Sequence, residues 1–240
     1  MLGVLGGMGP LATVDFLAKL VAADVAETDQ LHMPFVVRSV PQIPDRSRAI
    51  MKGGESPLPA LRQGMRALAA MGATVAAIPC NTAHHWAEAL TGPDLPPILH
   101  IVDAVADQLA RILPDGGPIA VLATAGTRAA RVYETRLDGA RWPVQEIPEA
   151  DLAAVGRGIT LVKAGRLDAA RTLFAEAAAA QRARGAAAIV LACTEIPTAF
   201  PPGDDVVDAT QALAERCVRW YRESYAGFPP ADAGAIRAAS

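Results

Sequence analysis

Aromatic residues make up only 5% of the 240-residue chain, and charged residues make up 20%. No apolar run reaches the roughly 18 residues that a membrane-spanning helix needs, so we expect no transmembrane segment. No block of basic residues interleaved with aromatic ones is present, and the net charge is −3, so we expect no nucleic-acid partner. The first basic residue is Lys19, so the charged start of a secretory signal is missing and a cytoplasmic protein is predicted.

Cysteine is scarce as well, with three residues in the whole chain. An odd number of widely spaced cysteines without a C-x-x-C pair cannot form a closed disulfide framework, so free thiols are predicted. The cysteines and the four histidines show no paired ligand spacing, so no metal site is expected. Cys217 falls inside a predicted helix among apolar residues, where we expect it to pack in the core.

Hydrophobic residues are abundant, at 52%, and their arrangement indicates the fold class. Short runs rich in Val, Ile and Leu alternate with longer Ala-rich stretches, which predicts an α/β fold with parallel sheets covered by helices on both faces. The predicted strands are residues 2–5, 35–40, 74–78, 98–101, 119–122, 144–147, 187–191 and 206–207. The predicted helices are residues 11–23, 58–71, 83–90, 102–113, 128–137, 152–163, 167–184 and 209–221.

Two short segments of the first half of the chain recur in the second half. V-L-G-G-M-G-P at residues 4–10 is similar to V-L-A-T-A-G-T at residues 121–127, and the strand end at Cys80 is similar to the one at Cys193. Both pairs occur in the same order and at nearly equal separation. We therefore expect two pseudo-symmetric, doubly wound, Rossmann-like or flavodoxin-like domains that bind a ligand in the cleft between them.

A turn-forming segment, L-P-D-G-G-P at residues 113–118, lies near the middle of the chain and predicts a domain boundary. One domain is predicted to comprise residues 1–113 plus 209–240 and to carry the first of the two strand-end cysteines. The second domain is predicted to comprise residues 114–208 and to carry the other. The final segment, residues 228–240, is predicted to fray.

Cys80 and Cys193 each end a predicted strand and precede a helical pattern. In that position the amides of a helix N-terminus would lower the pKa of a thiol and favour the thiolate. Asn81, Thr82 and Thr194 add hydrogen-bonding groups beside them. A single cysteine of this kind could equally be a small apolar residue that closes a strand, but two in matching places favour a function.

The segments GVLGGMGPLATVDF, PQIPDR, PCNTAHH, LATAGT and ACTEIP, in this order, resemble the aspartate/glutamate racemase family, most closely its aspartate racemase branch. The resemblance covers nearly the whole chain. It implies an isomerase, a cofactor-independent amino-acid racemase, with an active site between two α/β domains and with Cys80 and Cys193 as its catalytic pair. We accordingly expect an amino-acid substrate, no cofactor and a homodimer.

The chemistry of racemisation suits these residues. Inverting an α-carbon requires a base on one face and an acid on the other, and one thiolate with one thiol supplies both. Donors must also stabilise the charge that develops on the carboxylate. The expected substrate-binding groups are the backbone amides of Gly7, Met8 and Gly9, together with the side chains of Asn81, Thr82, Thr124, Thr127, Thr194 and Glu195.

An acidic substrate needs a cation for its distal carboxylate. Arg46 and Lys163 match positions that hold this carboxylate in aspartate racemases. Arg46 could instead be a solvated loop charge, and Lys163 could be a charge at a helix C-terminus. Arg48 is the competing arginine, since it would face the substrate if the loop were arranged differently.

Several alternatives stay open. The segment G-M-G-P-L-A at residues 7–12 satisfies the dinucleotide fingerprint G-x-G-x-x-A, but no acidic residue ends the second strand to bind a ribose. A thiol hydrolase would pair Cys80 with His84, four residues later. Hydantoin racemase, maleate isomerase and arylmalonate decarboxylase are related enzymes, and a non-catalytic amino-acid-binding protein is the alternative from a different class.

Overall fold

The computed structural model describes residues 1–137 and 139–225, and these residues form six strands and nine α-helices. The strands are β1 (Leu2–Gly6), β2 (Phe35–Ser39), β3 (Val75–Ala77), β4 (Ile119–Ala123), β5 (Ala188–Ala192) and β6 (Val206–Asp208). The helices are α1 (Pro10–Ala23), α2 (Arg46–Lys52), α3 (Leu58–Ala70), α4 (Ile101–Ile112), α5 (Ala125–Ala129), α6 (Val132–Arg136), α7 (Glu149–Lys163), α8 (Leu167–Ala183) and α9 (Ala209–Ser224). The predicted α/β fold is confirmed.

The strands form two separate parallel sheets with matching strand orders. The first sheet has the order β2-β1-β3 and is extended beyond β3 by a bridge to Ile98. The second has the order β4-β5-β6 and is extended beyond β4 by a bridge to Val144. With these bridges included, each sheet contains its strands in the spatial order second, first, third, fourth. The two halves of the chain are therefore doubly wound in the same way.

Side chains alternate between the two faces of each sheet, and this alternation builds three apolar cores. Val4 and Val121 point into one core that both sheets share and that α1, α4 and α9 close. Leu5 packs on the opposite face of the first sheet, against α3, and Leu122 packs on the opposite face of the second, against α7 and α8. Cys217 is fully buried in the shared core, as predicted.

Two predicted strands, residues 98–101 and 144–147, are reduced to the single bridging residues Ile98 and Val144. A proline directly precedes each bridging residue. Proline lacks the backbone N–H that a sheet ladder needs, so these segments pair at one point only.

Two predicted helices also differ from the structure. The helix predicted at residues 83–90 is a pair of 3₁₀ turns, Asn81–Trp86 and Glu88–Leu90. The helix predicted at residues 128–137 is divided between α5 and α6, because Arg131 adopts a left-handed conformation with φ 51°. A left-handed residue cannot continue a right-handed helix, so α6 takes a new direction.

Helix α2 was not predicted, since the prolines and charges around it indicate a loop. Its first turn is stabilised by Asp45, whose side chain accepts a 2.7 Å hydrogen bond from the Arg48 backbone N–H. It ends at Gly53, which is left-handed with φ 58°. The cap gives α2 a defined start, and its first residue is Arg46.

The predicted division into two domains stays a prediction. In the structure, the turn at residues 113–118 lies between α4 and β4, and α9 packs against α1 and α4. The segment predicted to fray, residues 228–240, lies outside the described residues. Within residues 1–137 and 139–225, no helix combines the length and the apolar character needed to cross a membrane.

Candidate active site

The two strand-end cysteines line one small cavity where the carboxyl ends of the two sheets meet. Cys80 follows β3 of the first sheet, and Cys193 follows β5 of the second. The cavity has a volume of about 50 Å³. Its wall contains ten of the residues predicted to form the site: Met8, Arg46, Cys80, Asn81, Thr82, Thr124, Lys163, Cys193, Thr194 and Glu195.

Both thiols are deeply buried, which overturns the expectation of a lowered pKa. Cys80 is 6% exposed and Cys193 is 5% exposed. Burial raises the pKa of each thiol because it disfavours the thiolate. The helix N-terminus predicted after each cysteine is only a short 3₁₀ turn, so it supplies too little positive potential to reverse the effect.

Glu195 adds to the rise at Cys193. The Cys193 Sγ donates a 3.0 Å hydrogen bond to Glu195 Oε2, and Thr194 Oγ1 donates to the same oxygen over 3.3 Å. After burial, the Glu195 carboxylate is the largest cause of the raised pKa of Cys193. Lys163 Nζ lies 3.7 Å from the other carboxylate oxygen of Glu195. Cys193 is therefore a protonated thiol held toward a carboxylate.

Arg46 has the opposite effect on Cys80. Its positive charge lowers the pKa of Cys80, in part against the effect of burial. The Arg46 guanidinium donates to the carbonyls of Ile43 and Pro44 over 3.0 and 3.1 Å, while its Nε is buried and has no hydrogen-bond partner in the described part of the chain. Arg48 is exposed and lies outside the cavity wall. Of the two candidate arginines, Arg46 is the one that faces the cavity.

Three threonine hydroxyls form a cluster that joins the two halves of the chain. Thr82 Oγ1 lies 2.8 Å from Thr127 Oγ1 and 3.1 Å from Thr124 Oγ1, and the last two are 3.0 Å apart. Thr82 and Thr124 line the cavity. Thr127 was predicted to bind substrate, but it is buried behind Thr82 and is not part of the cavity wall. It orients the other two hydroxyls.

The glycine-rich loop after β1 is divided between the cavity and a neighbouring pocket. Met8 lines the cavity, whereas Gly7 and Gly9 line the pocket. The Gly7 N–H was expected to be free for a substrate, but it donates a 2.8 Å hydrogen bond to Thr13 Oγ1. Gly7 has φ 96°, and a Cβ atom there would lie 2.4 Å from the backbone nitrogen of Val40, so only glycine fits.

The neighbouring pocket has a volume of about 510 Å³ and shares part of its wall with the cavity. The shared residues are Asp45, Arg46, Lys163, Thr194 and Glu195. The rest of the wall is largely apolar and includes Gly7, Gly9, Pro10, Leu11 and Ala12 of the dinucleotide-like segment. A substrate held in the cavity could therefore extend past the two cations into this pocket.

His84 supports the cavity from behind and does not face the thiol. Its Nδ1 lies 3.0 Å from the Cys80 carbonyl oxygen, and its Nε2 accepts a 3.2 Å hydrogen bond from the Ile101 N–H. Burial lowers the pKa of His84 to about 3, so the ring is neutral. Because both ring nitrogens bind backbone groups, the Cys80–His84 pair of a thiol hydrolase is not formed.

Three polar residues of the site were missed by sequence reasoning. Asp45 and Ser47 line the cavity beside Arg46. Tyr133 lies outside the wall, but its hydroxyl donates a 2.6 Å hydrogen bond to Asn81 Oδ1. The Asp45–Ser47 segment could have been found from the helix cap at Asp45. Nothing in the sequence links Tyr133 to Asn81, which lies in the other half of the chain.

Among the residues that the structure describes, no cluster of three or more histidine, cysteine, aspartate or glutamate side chains has the arrangement of a metal site. The cavity wall itself presents two thiols, several hydroxyls and an amide, with cations and carboxylates at its edge. Such a set can move protons on both faces of a small polar molecule.

The family model and the similar solved structures point to the same protein family. The family model described as Asp/Glu/Hydantoin racemase matches residues 5–217. An aspartate racemase from Picrophilus torridus is similar in structure, with 30% sequence identity, a TM-score of 0.81, and coverage of 91% of this chain and 93% of that one.

Two further solved structures share the fold. A putative Asp/Glu racemase from Yersinia pestis has 25% identity and a TM-score of 0.75, with coverage of 91% of this chain and 97% of that one. A glutamate racemase from Francisella tularensis, solved with D-glutamate, has 13% identity and a TM-score of 0.63, with coverage of 93% and 81%. With its matched sheets and its family match over most of its length, the chain belongs to the Asp/Glu/hydantoin racemase family.

Proposed function

We propose that this chain is a pyridoxal-phosphate-independent racemase that interconverts L- and D-aspartate by proton transfer between Cys80 and Cys193. The observation that carries the proposal is that these two thiols, which follow corresponding strands of two matched sheets, line the same cavity of about 50 Å³. So small a cavity would bring the α-carbon of a bound amino acid close to both sulfur atoms.

In the proposed reaction, the thiolate of one cysteine takes the α-proton of one enantiomer and becomes a thiol. The electrons of the broken C–H bond pass into the α-carboxylate, which becomes an enediolate. The thiol of the other cysteine then gives its proton to the opposite face of the α-carbon and becomes a thiolate. The product is the other enantiomer, and the reverse reaction exchanges the roles of the two cysteines.

The main barrier is the weak acidity of a hydrogen beside a carboxylate. Donors that are already oriented toward the developing enediolate lower this barrier, because they need no rearrangement when charge appears. Asn81, Thr82, Thr124 and Thr194 supply polar side chains on the cavity wall. We propose these four residues, with the Met8 backbone, as the binding groups for the α-carboxylate and the amino group.

The preference for an acidic substrate is assigned to Arg46. Its buried Nε has no partner among the described residues, and its guanidinium borders both the cavity and the larger pocket. Lys163 lies on the same border, but its side chain is 62% exposed and is paired with Glu195. Arg46 is therefore the stronger candidate for binding the distal carboxylate, and Lys163 contributes from the rim.

The test is chiral chromatography of purified protein incubated with L-aspartate and separately with L-glutamate, under reducing conditions and without added cofactor. Formation of the D-enantiomer, with α-deuterium incorporation in deuterated water, is the expected result. Unchanged enantiomeric excess for a panel of acidic and neutral amino acids would contradict the proposal. Binding of aspartate without exchange of its α-hydrogen would instead favour a non-catalytic amino-acid-binding protein.

The related activities are separated by their substrates. A 5-substituted hydantoin, maleate and an arylmalonate are each offered to the same preparation. Turnover of one of these in place of aspartate would assign the chain to hydantoin racemase, maleate isomerase or arylmalonate decarboxylase chemistry.

We also propose a homodimer, and the cytoplasmic location stays a prediction from the sequence. Leu11, Val14 and Val21 lie on one side of α1, and each is more than half exposed. A second copy of the chain would cover this apolar stripe. Sedimentation should show a dimer that Val14→Glu dissociates, and a monomeric wild-type protein would contradict the proposal.

A further inference from the structure

Tyr133 reaches from the second half of the chain to a residue that lines the catalytic cavity. Its side chain is 1% exposed, and its hydroxyl donates a 2.6 Å hydrogen bond to Asn81 Oδ1. Asn81 follows Cys80 directly and is itself buried. The contact therefore joins α6 to the segment that carries one of the two thiols.

This hydrogen bond determines which end of the Asn81 amide remains available. A side-chain amide has an acceptor oxygen at one end and a donor N–H₂ group at the other. Tyr133 occupies the oxygen. The Nδ2 atom is buried and has no hydrogen-bond partner in the described part of the chain, although Asn81 lines the cavity. Buried donors are nearly always satisfied, so this one is available to a bound molecule.

We propose that Tyr133 is a positioning residue that fixes Asn81 with its amide N–H₂ group toward the cavity, where it donates to the α-carboxylate of the bound amino acid. This inference rests on the proposed racemase function. A donor held in this way strengthens its hydrogen bond as the carboxylate gains charge in the enediolate, so it acts mainly on the chemical step. Without Tyr133, the amide could rotate and present its oxygen to the carboxylate, which would repel it.

The surroundings of Tyr133 keep it a donor. Burial raises the pKa of the Tyr133 hydroxyl well above its usual value, and the charge of Asp208 adds to the rise. The phenol therefore stays protonated throughout the neutral range. Its position depends on the break at Arg131, since α6 there turns to pack against α4 and the 3₁₀ turn Asn81–Trp86.

The kinetic test is Tyr133→Phe, which keeps the buried ring and removes only the donor. Loss of one oriented donor in such a site lowers kcat by about 100-fold or more, and loss of orientation alone should lower it by roughly 10- to 30-fold with KM nearly unchanged. The matched control is Tyr221→Phe on α9, which should change neither constant. In an Asn81→Ala background, Tyr133→Phe should cause no further loss, whereas additive losses would overturn the proposal.

A spectroscopic test does not depend on turnover. Asn81 is the only asparagine in the chain, so protein labelled with ¹⁵N-asparagine gives a single side-chain amide signal pair. This pair should shift in Tyr133→Phe and not in Tyr221→Phe, and L-aspartate should shift it in the wild type. An identical signal in Tyr133→Phe and wild type overturns the inference even if the protein racemises aspartate. A shift in a protein that racemises no amino acid would instead contradict the proposed function and leave the Tyr133–Asn81 contact supported.

Discussion

The charges that face the two cavity thiols make them chemically unequal. The Arg46 guanidinium lowers the pKa of Cys80 against the effect of burial, whereas the Glu195 carboxylate raises the pKa of Cys193 and accepts its proton in a hydrogen bond. Cys80 is thus the easier thiol to ionise. Before substrate binds, we expect Cys80 to be the base and Cys193 to be the acid.

Replacing each cysteine separately tests the two-thiol mechanism. Cys80→Ser and Cys193→Ser should each abolish racemisation, because a hydroxyl fits the place of the thiol but is a far poorer base. In deuterated water, each variant should still exchange the α-hydrogen of one enantiomer, and the two variants should act on opposite enantiomers. Cys217→Ser is the control, since Cys217 only packs in the shared core. Wild-type racemisation by either active-site variant would require a mechanism with one base.

Glu195→Gln should shift the pH dependence of the reaction. The carboxylate raises the pKa of Cys193, so its removal should lower that pKa, although burial will still hold it above the usual value. The Cys193 thiol, which is the expected acid, then loses its proton at lower pH, so the alkaline limb of the kcat/KM profile should move toward lower pH. Thiolate ultraviolet absorbance during a pH titration reports the same ionisation. Glu176→Gln, at an exposed position on α8, is the control, and an unmoved limb in Glu195→Gln would rule out this role for Glu195.

Arg46 and Arg48 provide a matched pair within α2. Arg46→Ala removes a charge-assisted hydrogen bond to the distal carboxylate. The loss of transition-state stabilisation should be about 2–3 kcal/mol, which lowers kcat/KM for aspartate roughly 30- to 150-fold. The loss on a neutral amino acid that the protein accepts should be much smaller. Arg48→Ala should leave both substrates unaffected, since Arg48 is exposed. Equal losses on acidic and neutral substrates in Arg46→Ala would mean that Arg46 does not bind the distal carboxylate and acts only through the fold or through the pKa of Cys80.

The predictability of the elements follows from where their apolar residues lie. Strands β1, β4 and β5 are buried on both faces, so they appear in the sequence as short continuous apolar runs. The cysteine after β3 and the one after β5 could be matched because each follows such a run. Both sheets and both thiols could therefore be predicted without coordinates.

Other features of the structure depend on local conformation or tertiary packing, which the hydrophobic pattern of the sequence does not indicate. Helix α2 is short and has no buried residue, so it lacks the apolar periodicity that indicates a helix. The break between α5 and α6 occurs at Arg131, a residue type that seldom adopts a left-handed conformation. The raised pKa of the two thiols comes from burial between the two halves, which a single strand end does not reveal.

At the scale of the whole molecule, the two halves contribute equivalent glycines to the region between them. Gly9 follows β1 and Gly126 follows β4, at the same place in the repeated segment. A Cβ atom on Gly9 would lie 3.8 Å from Glu195 Oε1, and one on Gly126 would lie 2.4 Å from Ser47 Oγ. Each glycine thus faces a cavity residue from the opposite half. The approach at Gly126 is much the closer of the two.

Gly126→Ala should therefore disturb the packing of α5 against α2, where the two halves of the chain meet. The added Cβ would lie 2.6 Å from the Ser47 Cα, and a backbone atom cannot move aside without shifting α2, which carries Arg46. Overpacking of this kind should cost about 1–3 kcal/mol of unfolding free energy, and displacement of Arg46 should raise KM for aspartate.

The control is Gly156→Ala in α7, where nothing lies within 4 Å of the added atom. That variant should gain up to about 1 kcal/mol from the higher helix propensity of alanine. Denaturant unfolding and aspartate kinetics on both variants check the prediction, and an active, fully stable Gly126→Ala protein would show that α2 and α5 need not pack this closely.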